Sequence, residues 1–152
     1  MMRDYYHDIP FMEEALQQAR LALAFGDVPV GAVVVKEGVV IGRGYNRREA
    51  DGNALAHAEC EAIADACKTL GSWRLQDCTL YVTLEPCPMC AGAIINARIA
   101  RVVYGAKDEV AGCVGSKINL FAMDFNHTPK VTVGVLEREC AALLTDFFKE
   151  KR

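Results

Sequence analysis

Thr79-Leu80-Tyr81-Val82-Thr83-Leu84-Glu85-Pro86-Cys87-Pro88-Met89-Cys90 is the stretch on which the fold turns. Its first six residues are short and β-rich, which reads as a strand over 79–84. Glu85 precedes a proline and is held extended, which suits a strand ending at Leu84. Pro88 opens a helix expected over 88–97, at a position where a missing N–H costs little. Cys87 and Cys90 are three apart and share a face of that helix's first turn. The positive end of the helix dipole lowers a thiol's pKa there. Ligands of open α/β sheets gather beyond the carboxyl ends of the strands, and the two thiols fall in that place.

On either side the chain alternates between helical and strand-like segments. Phe11, Met12, Ala15, Leu16, Ala19 and Leu23 recur at helical spacing behind Pro10, with Asp8 as the expected cap and Gly26 as terminator. Residues 30–36 and 39–45 read as strands joined by Glu37-Gly38, an antiparallel hairpin. Residues 46–53 form a polar loop, and a helix is expected over 55–70, ending at Gly71. Beyond the opening stretch, 99–104 is strand-like and 106–116 reads as a loop carrying Gly112 and Gly115. Residues 117–129 fit no single element, and 130–135 alternates as a strand. A last helix places Cys140, Leu143, Leu144 and Phe147 on one stripe. Strand-helix-strand crossovers put helices on both faces of a sheet. The expected fold is α/β, a three-layer α-β-α arrangement around a mixed central sheet of about five strands.

The chain has 152 residues, 52% hydrophobic and 24% charged, which reads as one globular domain over 1–152. No apolar run approaches the roughly 20 residues that span a bilayer. The first residues lack the apolar stretch of a signal peptide, so cytoplasmic residence is expected. Seven cysteines, an odd number in a chain of this size, do not form a secreted disulfide scaffold. Cys60, Cys67, Cys78, Cys113 and Cys140 read as small core residues. A net charge of −3 argues against a general nucleic-acid binder but leaves room for a local basic face. Arg43, Arg47, Arg48, Lys149, Lys151 and Arg152 are the candidates for it. Each taken alone reads as solvated surface charge.

His57-Ala58-Glu59 lies 30 residues before Cys87. One imidazole and two thiolates make three zinc ligands and leave a fourth position free, and three ligands plus a water is the catalytic arrangement. Side chains two apart diverge in mid-helix, yet at a helix N-terminus both reach the space beyond its end. His57 then reads as a ligand and Glu59 as its acid/base partner. The Cys-x-x-Cys alone reads equally as a redox-active or incidental pair. A structural zinc would need a fourth ligand, and His7 and His127 have no ligand partner nearby in sequence. Combined, His-x-Glu and Pro-Cys-x-x-Cys are the signature of zinc nucleobase deaminases.

With these residues the chain resembles the cytidine and deoxycytidylate deaminase superfamily and, more narrowly, the bacterial tRNA-specific adenosine deaminases. Gly26-Asp27-Val28-Pro29-Val30-Gly31-Ala32-Val33, Gly44-Tyr45-Asn46-Arg47, Ala56-His57-Ala58-Glu59, Cys90-Ala91-Gly92-Ala93-Ile94, Arg101-Val102-Val103-Tyr104-Gly105 and the tail from Glu139 to Phe148 carry the likeness, together with the opening stretch. The resemblance implies the cytidine deaminase-like fold and one Zn2+ per subunit on His57, Cys87 and Cys90, with a water in the fourth position. Glu59 would take that water's proton and deliver it to ring N1, then to the leaving ammonia. Adenosine would become inosine at the wobble position of a tRNA anticodon stem-loop, its base flipped into the pocket. Asn46 would hydrogen-bond the base, and Val30, Ala58 and Leu84 would border it. A homodimer would share the RNA, with Arg47, Phe148, Lys149 and Arg152 as contacts. Asn53, Ala54 and Leu55 depart from the family, which commonly has a proline and a small hydroxyl residue there. Two other readings are a deaminase of a free nucleobase or nucleoside of the guanine or cytosine type, and a non-catalytic zinc module.

Overall fold

Alternation along the strands decides which layer each side chain joins. The structure, a computed structural model, describes the backbone of residues 2–151 and the side chains of residues 6–151. β1 (Gly31–Lys36) and β2 (Val39–Tyr45) form the hairpin, with Glu37 and Gly38 both at positive φ in its turn. Two consecutive left-handed residues match the twist of the strands they join. β3 (Cys78–Leu84) pairs antiparallel with β1, while β4 (Arg101–Ala106) and β5 (Lys130–Val133) follow in parallel. The five-stranded mixed sheet runs β2-β1-β3-β4-β5.

Val34, Leu80, Val82 and Val102 point to one face, where α3 (Ala58–Leu70) and α4 (Pro88–Ala97) cover them with Ala62, Ala66, Ala91 and Ile94. Val33, Val35, Tyr81 and Val103 point to the other, against α1 (Met2–Ala24) and α5 (Glu137–Glu150) through Met12, Ala15, Leu16 and Cys140. The expected three layers are present. The alanines of α3 let it lie close on the sheet. A Cβ at Gly42 would stand 2.4 Å from the Ala62 carbonyl oxygen, and one at Gly44 2.4 Å from that of Ala58. Glycine is required at both positions because the helix backbone touches the strand backbone there.

Three expectations about elements are corrected. α1 begins at Met2, not at Pro10, and Pro10 lies inside it. Asp8 is therefore no cap. It is buried within the helix, where its Oδ1 accepts from the Tyr81 hydroxyl at 2.7 Å and from Arg101 Nη1 at 2.9 Å. That bonding holds the turn ahead of Pro10 against β3 and β4. The polar loop carries a short helix, α2 (Arg48–Asp51). α3 starts at Ala58 instead of Leu55, with His57 as its cap residue in extended conformation. Residues 117–129 contain one 3-10 turn, Leu120–Ala122. Cys78, Cys113 and Cys140 are buried, whereas Cys60 and Cys67 are only half-buried. Among the described residues no helix is long and apolar enough to cross a membrane.

Candidate active site

Two helix N-termini meet beyond the carboxyl end of β3. His57 is the residue before α3 and Cys87 the residue before α4, and each has the extended backbone of a cap position. Neither side chain caps its own helix, so both are available to a ligand. His57 Nδ1 lies 3.5 Å from Cys87 Sγ and 3.5 Å from Cys90 Sγ. The three candidate ligand atoms all fall within 4.8 Å of one another, close enough to share one metal ion. An imidazole with two thiolates suits zinc or another borderline-soft cation.

The electrostatics of the three groups are linked. Cys90 and His57 beside it hold the Cys87 thiol down at about 4, against the pull of burial. Contacts with the Cys60 and Cys87 sulfurs, and burial, push the Cys90 thiol up. The Cys87 sulfur raises the His57 imidazole. Metal binding needs a neutral imidazole and ionised thiols, so uptake of a cation expels these protons. Cys60, read from sequence as a core residue, sits with its Sγ 3.8 Å from Cys90 Sγ.

A cavity of about 470 Å³ opens over this cluster, within the range of small-molecule sites. His57, Glu59 and Cys87 line its floor. Glu59 is 4% exposed, and burial pushes its carboxyl up to about 7. Asn46 lines the cavity with its Oδ1 accepting from the Ala58 N–H at 2.9 Å. That bond fixes the amide orientation and leaves its N–H groups as the donors for a ligand. Val30 and Leu84 form apolar wall, while Ala58 is buried at the bond to Asn46.

The other candidate contacts separate. Phe148 is 50% exposed and lines the cavity, with its edge against Phe147. Lys149 is exposed and does not line it. Arg47 also lies off the cavity, its guanidinium bonded to both Asp51 oxygens at 2.9 Å and to the Tyr45 hydroxyl. Arg152 lies outside the described residues. Sequence reading missed Val28, Arg48 and Leu144 as lining residues, along with the rim from Lys107 to Ala111. The rim had one legible signal, a glycine-bearing loop directly after a parallel strand.

Glu85 was also missed. Its buried carboxylate accepts from the backbone N–H groups of Asp108, Val114 and Ser116 and from the Ser116 hydroxyl. It thereby fastens the loop that walls the cavity to the segment that carries Cys87. Burial pushes this carboxyl up, but the Ser116 hydroxyl and the backbone amides outweigh burial and hold it below its ordinary 4.5. A depressed folded pKa gives stability that is present above 4.5 and is lost as pH falls through the lower folded value. Glu85→Gln should therefore lower the melting temperature at neutral pH and flatten its decline below about pH 4.5. Parallel acid limbs for the variant and wild type in a calorimetric pH series would refute this role.

Comparison with known proteins agrees with the geometry. The sequence model of the MafB19-like deaminase family matches residues 7–152. The tRNA-specific adenosine deaminase of Bacillus subtilis (strain 168) is 50% identical over 143 residues, 93% of this chain and 89% of that protein. A solved structure from work on A-to-I editing by tRNA deaminases at the wobble position superposes with a TM-score of 0.86 at 47% identity, over 88% of this chain and 98% of its own. The guanine deaminase of Bacillus subtilis is more distant, with a TM-score of 0.63 and 35% identity over 93% of this chain and 92% of its own. The chain belongs to the MafB19-like deaminases and, within them, to the bacterial tRNA-specific adenosine deaminases.

Proposed function

We propose that this protein hydrolyses adenosine to inosine at the wobble position of tRNA, releasing ammonia. The observation that carries the proposal is one cavity floored by His57, Cys87 and the buried Glu59 carboxyl, with Asn46 in its wall. His57 Nδ1 and the Cys87 and Cys90 sulfurs would hold one zinc ion per subunit. Bound there, zinc supplies the Lewis acidity that makes water a nucleophile at neutral pH. Glu59 moves the protons: it accepts one from the attacking water, places it on ring N1, and passes the next to the departing amine. Asn46 orients the base through its side-chain N–H groups. Val30 and Leu84 keep the walls apolar, so the base displaces water as it seats.

The substrate assignment draws on what the relatives act on and on the cavity, whose volume of about 470 Å³ accommodates a base turned out of its strand. Phe148, which lines the cavity, and the exposed Lys149 next to it in the chain are the residues we assign to the RNA flanking that base. As the resemblance implies, the protein acts as a cytoplasmic homodimer, each chain one catalytic domain. Purified protein should produce inosine in a tRNA with adenosine at the wobble position and leave free guanine and cytosine unchanged. Ammonia release from guanine or cytosine without inosine in the tRNA would favour the free-base reading, which the fold shared with guanine deaminase keeps in play.

A further inference from the structure

Phe25, just beyond the last turn of α1, is 60% exposed. Its ring stacks on that of Tyr45, with centroids 6.1 Å apart and planes 9° from parallel. Arg47 braces the pair. Its guanidinium carbon is 5.2 Å from the Tyr45 centroid and 6.0 Å from that of Phe25, while its N–H groups bond the Tyr45 hydroxyl and Asp51. The charge of Arg47 is thus committed within the protein, and what it presents outward is a fixed aromatic stack. The surrounding backbone is fixed as well. Asp27 Oδ2 accepts from the N–H groups of Glu49 and Ala50, tying the segment after Phe25 to α2.

Along the chain the stack adjoins residues of the cavity wall, although Tyr45 and Arg47 themselves line a second depression. Val28, Asn46 and Arg48 all line the cavity, and they lie within three residues of Phe25, Tyr45 and Arg47. A cavity that takes a base turned out of its strand leaves the neighbouring bases without stacking partners. A rigid aromatic face beside a cation is what unpaired bases stack on, regardless of sequence. Arg48, exposed on the same rim, adds positive charge suited to the phosphate between them.

We infer that Phe25 and Tyr45, braced by Arg47, form a stacking platform for the unpaired RNA base adjacent to the one held in the cavity. The inference rests on the RNA deaminase reading above. The test uses the zinc-loaded full chain and an anticodon hairpin with adenosine at the wobble position. Phe25→Ala and Phe25→Leu should each raise KM roughly tenfold with kcat within about twofold, and Phe25→Trp should restore it. Hairpins carrying 2-aminopurine at one or the other neighbour of the target should lose fluorescence on binding at one of those positions, and Phe25→Leu should abolish that quenching. Unchanged KM in both variants, or raised KM with no quenching at either neighbour, would overturn the platform alone. A wild-type protein inert toward the hairpin would instead overturn the RNA reading on which the platform rests.

Discussion

Glu59→Ala folds, keeps its metal and loses deaminase activity by about 10²- to 10⁴-fold, the range supplied by a positioned general acid/base. The argument rests on position. Glu59 stands two residues beyond the candidate ligand His57, in the first turn of α3, and is 4% exposed at the cavity floor. Burying a carboxyl costs free energy, visible in the rise of this group to about 7. Truncating it removes that cost, so the melting temperature should not fall by more than a degree or two, roughly the scatter of surface substitutions. Metal content by mass spectrometry, the melting curve and single-turnover rates separate the roles. A variant with full activity would sink the proton-transfer assignment. A variant that has lost its metal would move Glu59 into the ligand set.

Cys87→Ala has the complementary effect: the metal goes, and activity goes with it. Two ligands remain of three, and the missing one is the thiol that ionises most readily in the cluster. Stoichiometry should drop from about one metal per chain to a small fraction under dialysis. A cation that binds only the folded chain stabilises it by about 2.7 kcal/mol at a hundredfold excess over its dissociation constant. Chelation should therefore lower the melting temperature of the wild type and leave that of Cys87→Ala unmoved. Full metal occupancy in the variant would mean that another sulfur, such as Cys60 at 3.8 Å from Cys90, takes its place.

The strands and the ligand cluster were legible because each is written locally. β1 shows buried valines ahead of a two-residue turn, and the His-x-Glu and Cys-x-x-Cys spacings place side chains at two helix ends. What escaped is written at long range. Pro10 reads as a first-turn residue, but Asp8 draws the preceding turn onto Tyr81 and Arg101, 73 and 93 residues away. α3 starts late because Leu55 to His57 are committed to turn bonds, Ala56 N–H to the Asn53 carbonyl and Arg47 N–H to the Ala56 carbonyl. Glu85 reads as nothing more than the residue before a proline, and its role appears once the loop up to 31 residues later folds back onto it. Arg47 is the exception, since its partners Tyr45 and Asp51 lie two and four residues away. It reads as solvated charge because the short helix α2, which brings Asp51 onto it, reads as polar loop.

The contact of α3 with Gly42 and Gly44 has a consequence for how this site can change. With the two backbones already touching, the helix that carries Glu59 behind His57 has no room to shift, and any larger residue at either glycine would displace both groups at once. One jaw of the site is clamped. The other is made of the segment from Lys107 to Ala111 and of Leu144 and Phe148 from α5, whose side chains meet the cavity. New substrates are therefore reached by redrawing that second jaw, while the chemistry stays where the glycines hold it.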